Sequence, residues 1–225
     1  MKTTPRFHRG FLMKAYLLQL MEGSFSAASL ARETGRSYGY TSNIMVKLIS
    51  LGYVKRIRRK ALLGPGGRSG LMGFSPAGYT LTRRGRGRIR VVLTGGVFDI
   101  LHPGHLSILT ESKRHGDVLV VVVARDSTIR KRKARRPVLS ESDRLLMVSS
   151  LRPVDAAVLG SGRSLADTLR SVGPDMVCLG YDQHADMAWL KRLVKREGMH
   201  IGIIKSGSML PEHSTTNILR KIKGR

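Results

Sequence analysis

Two apolar, β-branched runs dominate the second half of the chain: RIRVVL at residues 88–93 and DVLVVVVA at 117–124. Neither alternates with polar residues, so each reads as a strand buried on both faces, which needs helices above and below a parallel sheet. The intervening and following segments supply those helices. A helix is expected over 103–115, with Pro103 in its first turn, where no N–H is missed. The run ARDSTIRKRKARRP reads as a short helical turn passing into a basic loop, and Ser140 caps a helix beginning ESDRLLMV. Strands at 156–159, 175–179 and 199–204 then alternate with helices at 164–172, 185–197 and 214–223. The expected architecture is α/β, a doubly wound parallel sheet whose ligands sit beyond the carboxyl ends of the strands.

Residues 1–88 follow another pattern, which places a domain boundary there and a second domain at 89–225. Of the 40 Lys and Arg in the chain, 18 lie in residues 1–90 against two of the 15 acids. A field of that sign attracts polyanions. A helix is expected over 9–21; Ser26 caps a second that stops at Gly35; RSYG opens a third in which Ile44, Leu48 and Leu51 share a face. Two short helices around a tight turn read as a helix-turn-helix. The following segment, with a glycine-rich tip and YTLTRRGR as closing strand, resembles the hairpin of a small winged helix-turn-helix domain. Such domains often bind double-stranded DNA. The candidate contacts are Ser37, Tyr38, Tyr40, Thr41 and Asn43 near the helix start, with Lys47, Arg56, Arg58, Arg59 and Arg68 on phosphates.

The chain has seven histidines, and two of them fall in GGVFDILHPGH, directly after the first buried strand. Gly95 and Gly96 let backbone approach a phosphate with no side chain between. His102 precedes the helix and His105 lies in its first turn, so both imidazoles converge on a helix N-terminus, where free N–H groups and the dipole favour phosphate oxygens. A zinc site would need further ligands, and this helix offers Glu111 and His115 two turns away. No direct protein ligation of a metal is expected.

The His-x-Gly-His stretch resembles the signature of the nucleotidyltransferase superfamily that includes cytidylyltransferases and adenylyltransferases, enzymes of Rossmann-like fold. VVVARDSTIRKRKARRPVLSESDRLLMV, GYDQ and HSTTNILRKI are similar to segments of archaeal FAD synthases. The resemblance implies AMP transfer from ATP to FMN, with Mg²⁺ on the nucleotide and FAD and pyrophosphate as products. It implies that His102, His105 and Lys131 are catalytic. Nucleotide would be bound by Thr94, Gly95, Gly96, Val97, Phe98, Gly104, Gly180, Asp182, Gln183, Ser214, Thr215 and Thr216. The acceptor would be held by Asp99, Asp126, Arg130, Lys131, Lys133 and Arg144. One departure is the arginine that members often place before the Ser-Thr helix: GSMLPEHSTT has none, and His213 or Lys205 is the nearest substitute.

A lone cysteine, Cys178, excludes an intramolecular disulfide framework and a cysteine-rich metal site. No apolar run reaches the roughly 18 residues of a membrane span, and the N-terminus lacks a signal-peptide pattern, so a cytoplasmic protein without membrane contact is expected. A homodimer remains open. Two other functions compete: a cytidylyltransferase acting on glycerol 3-phosphate or another phosphorylated alcohol, and a flavin- or nucleotide-sensing transcription factor.

Overall fold

The computed structural model describes residues 6–57, 78–133, 136–180, 184–207, 218 and 220–222. The chain divides into two compact units, Met1–Ile89 and Arg90–Arg225. No helix among the described residues is long and apolar enough to cross a membrane.

The first unit orders α1 (Arg6–Glu22), α2 (Ala27–Thr34), α3 (Tyr38–Ser50), β1 (Val54–Ile57), β2 (Gly78–Leu81) and α4 (Arg83–Arg86). Ser26 starts α2 as expected: its Oγ accepts from the Ser29 N–H at 3.0 Å, and Ser29 Oγ accepts from the Ser26 N–H at 2.9 Å. Serine thus does at the third position what a longer Glu or Gln usually does. Ser37 caps α3. The buried face of α3 is Thr41, Met45 and Leu48, so it extends one turn N-terminal of the expected Ile44, Leu48 and Leu51. A periodicity traced through large apolar side chains passes over Thr41, which is small enough to pack completely out of water. Strands β1 and β2 pair antiparallel from Val54↔Leu81 to Ile57↔Gly78. The expected closing strand stops early. Thr82 Oγ1 accepts from the Gly85 N–H at 3.1 Å, and RRGR coils into α4 instead.

The second unit is the expected parallel α/β sheet. Its elements are β3 (Val91–Gly96), α5 (Pro103–Arg114), β4 (Val118–Val123), α6 (Asp126–Lys133), α7 (Glu141–Ser149), β5 (Ala156–Leu159), α8 (Leu165–Val172), β6 (Met176–Leu179), α9 (His184–Arg196) and β7 (Gly202–Lys205). The strands lie in the order β5-β4-β3-β6-β7, all parallel. Every residue of β4 is buried, which demands cover on both faces. Val92, Leu119, Val121 and Val123 pack with Leu109, Val148, Ala157 and Cys178 into one core. Two expectations shift. β7 begins at Gly202 rather than 199, and the basic run after Asp126 is helical through Lys133. Of the closing segment 214–223, residues 218 and 220–222 are helical; Ser214, Thr215 and Thr216 lie outside the described residues.

Strand order reverses at β3, and the split there is visible in the pairing. β3 and β4 share six register pairs, from Val91↔Val118 to Gly96↔Val123, whereas β3 and β6 share Val92↔Met176 and Leu93↔Val177. The backbone ladder between β3 and β6 stops at Leu93, and this switch point at the carboxyl edge is where a doubly wound sheet takes its ligands.

The opposite edge is held by aspartates at the strand starts. Asp117 and Asp175 each accept from the backbone of β3's start, at the Arg90 and Val91 N–H groups, both at 2.7 Å. Asp155 accepts from the Leu119 N–H at 2.6 Å and pairs with Lys113. The turn into β4 is equally tight. A Cβ on Gly116 would stand 2.5 Å from Val92 Cγ2 and 2.8 Å from the Arg90 carbonyl oxygen. Gly116→Ala is expected to cost about 1–3 kcal/mol through overpacking against this central strand, read as a lower denaturation midpoint of the second unit at unchanged slope.

Candidate active site

The site begins where β3 ends. After Gly96 the chain turns sharply through Phe98, whose φ of 53° is left-handed, a conformation that non-glycine residues hold only when their surroundings enforce it. The ring of Phe98 is buried and lies 5.0 Å from the His105 ring. Gly96 makes room for it, since a Cβ there would come within 3.0 Å of Phe98 Cε2; a Cβ on Gly95 would stand 3.3 Å from the Val122 carbonyl oxygen. Both glycines therefore fit a tightly packed turn, where a Cβ would press on its neighbours.

α5 then starts with His102 at its N-cap and Pro103 at its first position. The imidazoles of His102 and His105 stack, with centroids 3.8 Å apart and planes 26° off parallel. The His105 N–H donates to the His102 carbonyl oxygen at 2.9 Å, which closes the first turn beneath them. His105 Nδ1 is buried without a hydrogen-bond partner among the described residues. Burial, then the neighbouring His102, push the pKa of His105 down to about 4. At neutral pH this imidazole carries no charge. It adds a directional polar group to a helix end whose own N–H groups already favour anions.

The other expected nucleotide and acceptor residues divide into side chains used inside the protein and side chains left at its surface. Thr94 is buried and its Oγ1 donates to the Cys178 carbonyl oxygen at 2.9 Å, bridging β3 to β6 where their ladder has already split. The Phe98 side chain is likewise core. Asp99 is buried, its Oδ1 accepting from the Val138 and Leu139 N–H groups at 2.7 and 3.1 Å. Arg144 has no exposed surface: Nη1 donates to the Val97 carbonyl oxygen at 2.6 Å, Nε to the Leu139 carbonyl oxygen at 3.2 Å, and Nη2 to Asp126 Oδ1 at 2.6 Å. The acceptor contacts expected of Asp99 and Arg144 are corrected accordingly, because both side chains are enclosed and serve the loops around them.

Arg130 and Lys131 are exposed on α6, which Ile129 anchors in the core; Lys133 closes the same helix. Gly104 sits in the first turn of α5, and Gly180 is buried just past β6. Asp182, Gln183 and His213 lie outside the described residues, and Lys205 ends β7. In the first unit Ser37, Tyr38, Tyr40, Asn43, Lys47 and Arg56 are exposed. Thr41 is fully buried, so the contact expected of it is withdrawn, while Arg58, Arg59 and Arg68 lie outside the described residues.

Two acids take up partners that the sequence did not indicate. Glu141 accepts from the Asp126 N–H at 2.8 Å and from Arg125 at 3.1 Å, and Glu111 binds Ser206 and the Gly207 N–H. Only the place of Glu141 in the first turn of α7 marks it in the sequence. Among the described residues no group of three or more His, Cys, Asp or Glu is placed to hold a metal ion.

A parallel sheet that splits at β3, with a glycine turn and paired histidines on the next helix, defines the nucleotidyltransferase class. Residues 93–221 match the cytidylyltransferase-like family model, and the chain belongs to that family. It is 45% identical over 133 residues to an FAD synthase of Thermoplasma acidophilum, covering 59% of this chain and 92% of that one. It is 42% identical over 139 residues to an FAD synthase of Methanothrix thermoacetophila, covering 61% and 96%. A solved structure, described as the lipopolysaccharide core biosynthesis protein of Thermoplasma volcanium, superposes with a TM-score of 0.52 at 43% identity, over 54% of this chain and 99% of that one.

The depressed pKa of His105 has a thermodynamic signature. Between pH 4 and 6.5 the unfolded chain holds a proton that the folded site does not, so stability rises with pH across that window and falls on acidification. His105→Gln is expected to flatten this slope for the second unit, measured from denaturant unfolding at several pH values.

Proposed function

We infer that the protein is an FAD synthase, moving AMP from ATP onto FMN and releasing pyrophosphate. One observation carries this reading: identity of 40–45% to FAD synthases over 90% or more of the length of four of those relatives. An oxygen of the FMN phosphate attacks the α-phosphorus of ATP in line. A new P–O bond forms as the bond to the bridging oxygen breaks, and that oxygen leaves with pyrophosphate. The FMN phosphate is largely dianionic near neutral pH, so no strong base is needed; alignment and charge stabilisation carry the step.

In this reading His102 and His105 contact the triphosphate above the N-terminus of α5, and Arg130 and Lys131 of α6, with Lys133, attract the acceptor phosphate. Asp182 and Gln183 would meet the adenine. Ser214, Thr215 and Thr216 would donate to the β and γ phosphates, by resemblance to the family. Mg²⁺ fits as a passenger on the nucleotide, because the acids near the site, Asp99, Asp126 and Glu141, are engaged with backbone or arginine. When bound, it neutralises charge on the triphosphate.

The test is a product assay. Purified protein with Mg²⁺ is offered ATP or CTP together with FMN or glycerol 3-phosphate, and products are identified by mass. FAD from the ATP and FMN pair alone is the expected result; a cytidylylated alcohol would move the protein to the cytidylyltransferases, and no product from any pair would favour a sensor. His102→Ala and His105→Ala should each lower kcat by about a hundredfold or more with the fold retained, since each removes a polar group from the developing charge.

A second reading concerns the first unit, which we infer binds double-stranded DNA. It is supported by the outward face of α3, where Tyr38, Asn43, Val46 and Lys47 are exposed beside Arg36, and by the 18 Lys and Arg of residues 1–90. Duplex affinity should then fall steeply with salt, and Lys47→Ala and Arg56→Ala should each reduce the slope of log K against log salt by about one. Binding that does not respond to salt would refute a phosphate interface.

A further inference from the structure

The arginines of RRGRGR, residues 83–88, are held by aromatic rings. The guanidinium carbons of Arg84 and Arg88 lie 5.5 and 5.3 Å from the centroid of the buried Tyr53 ring, and that of Arg86 lies 5.2 Å from the Tyr16 ring. A ring face positions a cation without neutralising it, and a stacked guanidinium keeps its N–H edge for an anion. A carboxylate would use up both. Residues 1–90 contain two acids, Glu22 and Glu33, and Glu33 is paired with Lys14. Arg83 and Arg84 are exposed, and neither makes an ion pair among the described residues.

α4 is seated on the end of α3. Thr82 Oγ1 donates to the Gly52 carbonyl oxygen at 2.6 Å, and the Thr82 N–H donates to the Tyr53 carbonyl oxygen at 3.0 Å. A Cβ on Gly85 would stand 2.0 Å from that same Tyr53 oxygen, so glycine is what lets the helix sit so close. Arg84 Nη1 is then the nearest atom to a Cβ placed on Gly52, at 3.9 Å. Exposed arginines thus flank α3 at both ends, Arg36 before it and Arg84 after it.

We propose that Arg83 and Arg84 form a second phosphate clamp of the first unit, gripping the backbone of double-stranded DNA beyond the C-terminal end of α3. The proposal rests on the duplex-binding reading above and adds residues which that reading did not include. The 13 residues of α3 span about 20 Å. Over that length a duplex carries on the order of ten phosphates, whereas the few phosphates of a mononucleotide reach one end only. Arginine suits the clamp because its planar fork takes two phosphate oxygens while its face rests on Tyr53. Gathering Arg84 and Arg88 at one ring sets like charges together, a repulsion that a bound phosphate relieves.

The test follows binding of the full chain to a fluorescein-labelled duplex several helical turns long, by anisotropy over a range of salt concentrations. Arg83→Gln and Arg84→Gln should each weaken binding about fivefold to tenfold near 0.1 M salt and lower the slope of log K against log salt by about one. The denaturation midpoint of the unit should hold or rise, because a repulsion is removed. Arg84→Lys keeps the charge and the slope, and should still bind about threefold more weakly, since an ammonium has no fork. Glutamine variants with parental affinity and slope overturn the proposal, as does an Arg84→Lys chain that matches the parent. Lys47→Ala and Arg56→Ala then show whether duplex binding itself stands, because they lower the slope if it does. A parent chain that binds no duplex overturns that reading and the clamp together.

Discussion

A guanidinium withdrawn completely from water carries the carboxyl edge of the sheet. Taking a charge out of water costs several kcal/mol unless its partners are well placed, and Arg144 meets that requirement with one carboxylate and two carbonyls. Those partners belong to three separate pieces of chain: the turn after β3, the segment before α7 and the start of α6. None of the three is paired to another by a strand ladder; the guanidinium binds all three at once, and Asp99 and Glu141 each join two of them. Glu141 extends the network by holding the Asp126 N–H and Arg125, whose Nε reaches the Gly160 carbonyl oxygen beyond β5.

The treatment of acids follows the same logic. Asp99, Glu111, Asp117, Asp126, Glu141, Asp143, Asp155, Asp167, Asp175 and Glu197 all accept hydrogen bonds inside the protein. Many of the cations, Arg130 and Lys131 among them, are exposed. With 40 Lys and Arg against 15 Asp and Glu the net field is positive and favours phosphate.

Local chemistry was legible in the sequence wherever it acts over a turn or less. The caps at Ser26 and Ser140, the proline opening α5 and the buried run of β4 all follow from neighbours within four residues. The pairing of His102 with His105 was legible for the same reason, since residues three positions apart at a helix start share a side. What escaped depends on contacts across long stretches of chain. Arg144 meets Val97 from 47 positions away, so the resemblance that set it among the acceptor residues could not show that it is enclosed and braces the loops instead. Asp99 was misplaced in the same way. Thr41 escaped because its burial is set by how α3 packs, which its own polarity contradicts. The left-handed turn at Phe98 escaped because glycines stand two and three positions earlier, where a positive φ would have been sought first.

The strand-start aspartates carry one further consequence. Asp117, Asp155 and Asp175 join β3 to β4, β4 to β5 and β3 to β6, and each also donates its own N–H to the same neighbour, at the Arg90, Leu119 and Val91 carbonyl oxygens. All three junctions lie on the margin remote from the histidines. The hydrophobic layers of the sheet are thus pinned in register from the side that takes no part in the chemistry, and the loops on the other side carry the site without having to hold the strands together.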